Sequence, residues 1–225
     1  MSLELSQIAT DDLPRDRMDL EAVAASDEME ELKASIRERG QKEPIEIYPG
    51  PDGSYQLKKG WRRFTALSQL LAETGDARFG TIIARIERGD DGRLARYIDM
   101  VEENVVREDL TFAEMAQVVI TAAQDDAVGE PDPDALVARL YGSLHKMKKS
   151  YIRSFVFLLS QLGDVLPFPK AVSRNLGVDV SRAFKTQGAA EALREKLATC
   201  RTAEEQNKAL AAFVDHGLGT YSRDR

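Results

Sequence analysis

Segments with the alternating pattern of β-strands occur only in the first half of this 225-residue chain. PIEIYP (residues 44–49) and SYQLKK (residues 54–59) alternate apolar and polar side chains, and the turn residues GPDG between them predict a β-hairpin. TIIARIE (residues 81–87) is rich in β-branched residues and predicts a third strand. We therefore expect an α+β protein in which a small mixed α/β domain, residues 1–105, precedes an all-helical domain, residues 106–225.

Local start and stop signals place the helices of the first half. Ser26 is a good N-cap for the amphipathic segment that Gly40 ends, and a second helix follows Gly60 and ends at Gly75. RLARYIDMVEEN predicts a third helix that runs out near Asn104.

Two capping boxes mark helix starts in the second half, Thr111 with Glu114 and Thr202 with Glu205. GEPDPD (residues 129–134) is the clearest helix breaker of the chain. After it, DALVARLYGSL and SYIRSFVFLLSQL predict two helices joined by a basic connection.

Composition excludes several classes of protein. With 43% hydrophobic residues the chain can bury a core, while its one cysteine excludes a disulfide framework and a zinc cluster built from cysteines. No apolar run reaches the ~20 residues that a membrane-spanning helix needs, and no signal peptide is evident, so we expect a cytoplasmic protein. The net charge of −7 argues against a surface that binds nucleic acid everywhere, but it leaves room for a local basic face.

The segment GWRRFTAL (residues 60–67) is the first candidate binding site. Gly60 permits a tight turn, the free N–H groups of the helix start favour an anion, and Arg62 and Arg63 supply forked donors for phosphate oxygens. The alternative is an exposed helix start with two solvated arginines, because this short motif is much less specific than a Walker loop.

A second candidate lies in EENVVREDLTFAE (residues 102–114). Glu103 and Asn104 are oxygen donors of the kind that Mg²⁺ uses when it bridges to phosphates, and Arg107 could contact a phosphate or pair with a neighbouring acid. The alternative is an ordinary charged junction between helices.

The third candidate is a run without acidic residues, residues 135–163, in an otherwise acidic chain. This acid-free segment predicts a helix-turn-helix whose second helix enters the major groove of DNA, and the alternative is a solvated basic loop. Arg153 is the expected base reader, and the predicted DNA-contacting residues are Lys146, Lys148, Lys149, Ser150, Tyr151, Arg153 and Ser154.

Other chemistry has little support. His145 and His216 lie far apart without a constellation of carboxylates, and the sequence carries no Gly-x-Ser-x-Gly, His-Glu-x-x-His or Walker motif. We expect His145 to belong to the basic connection and His216 to a helix C-terminus. No catalytic residue is assigned.

Together these segments resemble the ParB/RepB family of plasmid and chromosome partition proteins. SIRERGQKEPIEIYP is similar to the family's first segment, GWRRFTAL to its arginine box G-E-R-R-x-x-A, and ENVVREDLTFAEMA to its third box, E-N-x-x-R-x-D-L-x-x-x-E. KKSYIRSFVFLL resembles the recognition-helix segment. The resemblance covers about residues 10–185.

The resemblance implies a ParB-like N-terminal domain that binds CTP with Mg²⁺ and a helical domain that binds a centromere-like DNA repeat. It also implies self-association through the N-terminal domain as a clamp on DNA, a ParA-type ATPase as partner, and association with the nucleoid or a plasmid.

Residue roles follow from the same resemblance. Gly60, Arg62 and Arg63 would hold the triphosphate, and Arg107 would complete the pocket. Glu103 and Asn104 would face the metal. Matches to the first segment, which would line the other side of the nucleotide, are Gly40, Gln41 and Pro44.

Three departures from the family pattern stand out. Trp61 replaces the acidic residue of the arginine box that is linked to hydrolysis, so slow CTP hydrolysis is left open. The stretch from Gly142 to Tyr151 is about four residues longer than the family's compact turn, which predicts an altered helix-turn-helix. The sequence stops about where the family's C-terminal dimerisation domain would begin, and we expect a fragment.

Alternatives from other classes are an enzyme on the same scaffold and a transcriptional regulator. A sulfiredoxin-like reductase needs a cysteine in the arginine box, and Cys200 is far from it. A small-molecule kinase would have no use for the acid-free segment. A regulator with ParB architecture cannot be separated from a partition protein by sequence.

Overall fold

The computed structural model describes residues 1–12, 20–50, 53–87, 92–106, 110–187 and 191–221. The chain divides into two compact units, residues 1–96 and residues 97–225.

The first unit combines a five-stranded sheet with helices, as the sequence predicts. Its strands are β1 (Ser2–Glu4), β2 (Ile8–Ala9), β3 (Ile45–Pro49), β4 (Tyr55–Lys59) and β5 (Thr81–Ile86). Its helices are α1 (Leu20–Ala24), α2 (Asp27–Arg39), α3 (Trp61–Thr74) and the start of α4 (Arg93–Val106), which continues into the second unit.

The strands form one mixed sheet in the order β1-β5-β3-β4-β2. β3 and β4 pair antiparallel, which confirms the predicted hairpin, and β5 joins β3 in parallel. β1 pairs antiparallel with β5 and β2 pairs parallel with β4. These two edge strands could not be predicted from the sequence, because two or three residues are too few to show a period.

One apolar core holds the first unit together. It is built from Ile45, Ile47 and Leu57 of the hairpin, and helices α2 and α3 add Met29 and Leu70, which are fully buried. Burying a side chain of this size contributes about 1.5–3 kcal/mol. The ends of α2 and α3 are those predicted.

The second unit is helical: no strand occurs beyond β5 among the described residues. After α4 its helices are α5 (Phe112–Gln124), α6 (Pro133–Leu140), α7 (Lys146–Leu162), α8 (Arg174–Gln187), α9 (Glu191–Thr199) and α10 (Ala203–Tyr221). α7 is central, since it packs against α5, α6 and α8. Within the described ranges, no helix has the length and apolar character needed to cross a membrane.

Helix α7 begins earlier than its sequence suggests. It starts at Lys146 instead of Ser150, so residues 141–145 alone connect α6 to α7 and the expected elongated turn is wrong. His145 is the N-cap, and its Nδ1 accepts the N–H of Met147 at 3.3 Å. Lysine is a good helix former, so the basic residues belong to the first turn of the helix and not to a loop.

Two helices, α8 and α9, have no counterpart in the sequence analysis. Gly177 lies inside α8, where a glycine normally weakens a helix prediction. α9 is short, and among its residues only Leu193 and Leu197 are buried. The packing of α8 against α7 and α10 stabilises what the local sequence does not indicate.

Candidate functional site

The start of α3 has the geometry of an anion site. Strand β4 ends at Lys59, and Gly60 turns the chain with φ 98° and ψ 28°, in the left-handed region. A Cβ at Gly60 would lie 2.6 Å from Cγ2 of Ile45, so conformation and space both require glycine here. No side chain caps α3, which leaves the N–H groups of its first turn available to a ligand.

Arg63 connects this helix start to the segment before β3. Its guanidinium donates to the backbone carbonyls of Glu43, at 3.0 Å, and of Pro44, and it lies 3.5 Å from the Glu43 carboxylate. Its side chain is only 24% exposed. The structure therefore brings together two predicted segments that are about 20 residues apart in the chain.

Arg62 has a different environment from its neighbour, because its side chain is exposed. The pKa of the Glu28 carboxyl is lowered, first by a backbone hydrogen bond and the Ser26 side chain, and further by the positive charge of Arg62. An exposed guanidinium beside uncapped helix N–H groups fits a phosphate.

The Gln41 side chain has a structural role that the sequence does not indicate. Its side-chain amide donates to the carbonyls of Ile83 and Glu43, both at 2.8 Å, and accepts the N–H of Ile83 at 2.7 Å. The amide thus extends the pairing of β5 ahead of the first residue of β3. Gly40 ends α2 with φ 70° and donates its N–H to Ile36.

A polar cluster in the same unit is not evident from the sequence. The Asp12 carboxylate accepts from the Tyr48 hydroxyl, lies 2.7 Å from the Arg93 guanidinium and 3.5 Å from that of Arg96. Arg96 also stacks over the Tyr48 ring at 4.3 Å. Burial, and then the hydrogen bond to Asp12, raise the pKa of Tyr48. No spacing pattern could indicate this cluster, because its members come from three separate segments.

The predicted metal-facing residues belong to the other unit. The backbones of Glu103 and Asn104 lie in α4, but their side chains are outside the described part of the chain. Arg107 also lies outside it. Among the residues that are described, no group of three His, Cys, Asp or Glu side chains could hold a metal ion.

In the second unit, the start of α7 presents the basic residues of the acid-free segment. Lys146 and Ser150 are exposed, and Lys148 is half-buried. The Lys149 ammonium donates to the carbonyl of Gly142 at 3.2 Å, and the Ser154 hydroxyl donates to that of Ser150 at 3.3 Å.

Two further predicted DNA-contacting residues, Arg153 and Tyr151, have side-chain partners inside the protein. Nε of Arg153 lies 3.2 Å from the Asp134 carboxylate. The Tyr151 ring packs edge-on against Phe112, with centroids 5.8 Å apart, and the Arg174 guanidinium lies over its face. Both side chains would have to leave these partners to reach a base.

Comparison with known proteins identifies the first unit. Residues 2–90 match the family model of the ParB N-terminal domain. The first unit is a ParB N-terminal domain. No curated protein sequence matches the chain.

Three solved structures are similar to this chain to different degrees. The Pnob8-like ParB-N domain has a TM-score of 0.56 at 16% identity, over 98% of this chain and 96% of that one. A C-terminally truncated ParB from Caulobacter crescentus in complex with the centromeric parS site has a TM-score of 0.47 at 20% identity, over 94% and 99% of the two chains. The same protein with CTP-γ-S has a TM-score of 0.36 at 25% identity, over 88% and 97%. At these identities the Pnob8-like domain shows a shared fold and no more.

The ParB match separates the predicted site residues into two groups. Six of them lie within the matched residues 2–90, namely Gly40, Gln41, Pro44, Gly60, Arg62 and Arg63. Glu103, Asn104 and Arg107 lie beyond it, as does the acid-free segment. Their roles stay predictions.

Proposed function

We propose that this chain is a DNA-binding partition protein whose ParB N-terminal domain holds CTP with Mg²⁺ and whose helical half binds a centromere-like repeat. The observation that carries the proposal is the uncapped start of α3 at Gly60, next to an exposed Arg62, inside a ParB N-terminal domain. The proposal assigns residues 1–105 to nucleotide binding and residues 106–225 to DNA binding.

The residues around Gly60 would have different roles in binding a triphosphate. The first-turn N–H groups of α3 and the Arg62 guanidinium would bind phosphate oxygens directly. Arg63 would keep the segment that ends at Pro44 in place, since its guanidinium bonds to that segment's carbonyls. Gly40 and Gln41, which precede Pro44 in the same segment, would line the same side of the nucleotide.

The proposal includes a bound metal ion, as the family resemblance implies. A bound Mg²⁺ would neutralise part of the phosphate charge. Glu103 and Asn104 would supply oxygen ligands, and Arg107 would add a positive charge. Hydrolysis is not part of the proposal, because the Trp61 side chain packs against the apolar core where the family pattern has an acid.

DNA binding would use the start of α7. Lys146, Lys148 and Lys149 would contact phosphates, and Arg153 would read a base once its guanidinium leaves Asp134. Self-association through the N-terminal domain, a ParA-type ATPase as partner and a place on the nucleoid or a plasmid complete the proposal.

The first test compares the two adjacent arginines by calorimetric titration with CTP and Mg²⁺. Arg62→Ala should weaken binding about tenfold or more without changing the melting temperature, because an exposed charge-assisted contact is lost. Arg63→Ala should weaken binding and also lower the melting temperature, because it removes the bonds to residues 43 and 44.

Arg78→Ala is the matched control, since Arg78 is a 59% exposed arginine of the same unit. It should leave the affinity unchanged. Absence of CTP binding by the wild type at millimolar concentration would refute the nucleotide part of the proposal.

A further inference from the structure

Met147 is a large apolar side chain that α7 exposes at its second residue. It is 52% exposed, and among the described residues only Met1 and Ile83 are other large hydrophobic side chains of this kind. Single exposed apolar residues are common on proteins, so exposure by itself means little. The position is what matters here, because Met147 stands between Lys146 and Lys148 at the start of the proposed recognition helix.

Two side chains near Met147 in α7 have partners inside the protein, whereas Met147 is exposed. Tyr151, one turn later, packs between Phe112 and Arg174, and Arg153 is paired with Asp134. Ser150 lies three residues after Met147, so the two share one face of the helix, and both are exposed.

The chemistry of a thioether restricts what Met147 can recognise. It carries no strong hydrogen-bond donor and only a weak acceptor, so it cannot read the polar edges of bases. In the major groove, the C5-methyl group of thymine is the apolar feature of the base edges. Lysines on both sides would bind the phosphates that border the groove.

We propose that Met147 is a specificity-determining residue that reads the methyl group of a thymine in the DNA site. This inference rests on the proposed DNA-binding function and moves base reading from Arg153 to the first turn of α7. Met147 contributes apolar contact, while the lysines beside it contribute affinity that does not depend on sequence.

The test removes the methyl group and the side chain separately. The wild-type full chain first selects its preferred duplex from a pool of random double-stranded DNA. Each thymine of the selected duplex is then replaced by deoxyuridine, which lacks only the methyl group, and binding is measured for wild type, Met147→Ala and Met147→Leu. Ser160→Ala, an exposed residue near the other end of α7, is the control.

One thymine should be sensitive in the wild type, with binding about fourfold weaker for deoxyuridine, as expected for one buried methyl group. Met147→Ala should bind the two duplexes equally, Met147→Leu should keep much of the difference, and Ser160→Ala should keep all of it. Alanine is a better helix former than methionine, so the variant should remain folded.

The possible failures are distinguishable. If the wild type selects no sequence, the DNA-binding function fails and the inference fails with it. If a sequence is selected but no thymine is sensitive, or if Met147→Ala keeps the sensitivity, the inference alone is wrong.

Discussion

At the scale of single residues, the adjacent arginines Arg62 and Arg63 have different environments. Arg62 is exposed and available to a ligand, whereas Arg63 is mostly covered and bonds to the backbone of residues 43 and 44. Gly60, directly before Trp61, is constrained by its backbone and by Ile45. The pair of arginines is therefore one exposed side chain and one that positions the neighbouring segment.

Gly60→Ala should lower the free energy of unfolding by at least about 2 kcal/mol. The left-handed backbone costs a residue with a Cβ about 1–2 kcal/mol, and the clash with Ile45 adds to it. Chemical denaturation measures the change. Gly75→Ala is the control, because Gly75 also has a positive φ, 65°, but a Cβ there would meet no atom within 4 Å.

Gly75→Ala should lower the free energy of unfolding only by the cost of the left-handed backbone, about 1–2 kcal/mol. Equal losses for the two variants would mean that the approach of Ile45 to Gly60 has no energetic weight.

The raised pKa of Tyr48 should make the free energy of unfolding fall at alkaline pH. Burial and the bond to Asp12 raise the pKa of Tyr48, so the folded protein favours the neutral phenol. The contribution of the neutral Tyr48 phenol to the free energy of unfolding is fully present below the unfolded-state pKa of about 10. It is lost as the pH rises above that value, by up to about 1.4 kcal/mol per pH unit.

Denaturation of wild type and Tyr48→Phe between about pH 8 and pH 11 measures this difference, since the phenylalanine variant should have a shallower slope. Tyr55→Phe, in the neighbouring strand β4, is the control for the loss of a phenol. Parallel curves for wild type and Tyr48→Phe would contradict the expectation.

At the scale of elements, the second unit is organised around α7. The helix buries Ile152, Phe155 and Leu158 completely, while its first two residues, Lys146 and Met147, are exposed. The Phe155 ring lies against Gly177 of α8, where a Cβ would be 2.3 Å from the ring. A glycine that weakens α8 as an isolated helix thus permits its close packing on α7.

Gly177→Ala should destabilise the second unit despite the gain in helix propensity. Overpacking a filled core costs about 1–3 kcal/mol, against a propensity gain of at most about 1 kcal/mol. Thermal unfolding of the variant should show the loss, and combining it with Phe155→Leu should make the added alanine less costly.

Gly142→Ala is the matched control, because the nearest atom to a Cβ there lies at an ordinary 3.5 Å. If Gly177→Ala were as stable as this control, the packing of Phe155 on α8 would not be tight in solution.

At the scale of the whole molecule, charge is distributed unevenly. The chain carries a net charge of −7, yet the acid-free segment places three lysines in the first turn of α7. Affinity for DNA depends on the phosphates that are neutralised locally and not on the total charge.

Lys148→Ala should weaken binding to selected and random duplexes alike. The slope of log K against log salt should become shallower by about one, as expected for one lost phosphate contact. Lys208→Ala, an exposed lysine of α10, is the control and should leave the slope unchanged. A change of sequence preference without a change of slope would place Lys148 on a base.

Features that depend on near neighbours in the chain could be predicted from the amino-acid sequence. The hairpin, the ends of α2 and α3, and the capping box of Thr111 with Glu114 form as predicted, because their signals lie within a few residues of the structure they specify. The change from a mixed to a helical half was visible for the same reason. The segments of the candidate site were also recognisable, since each is continuous in sequence.

Which side chains of these segments are exposed depends on tertiary packing. The bonds of Arg63 to residues 43 and 44, the cluster around Asp12, and the pairing of Arg153 with Asp134 join residues that are distant in the chain. The same holds for α8, which is stabilised by its contact with α7. Residue spacing specifies the face of an element on which a side chain lies, but the partner across that face is set by packing, which no local pattern encodes.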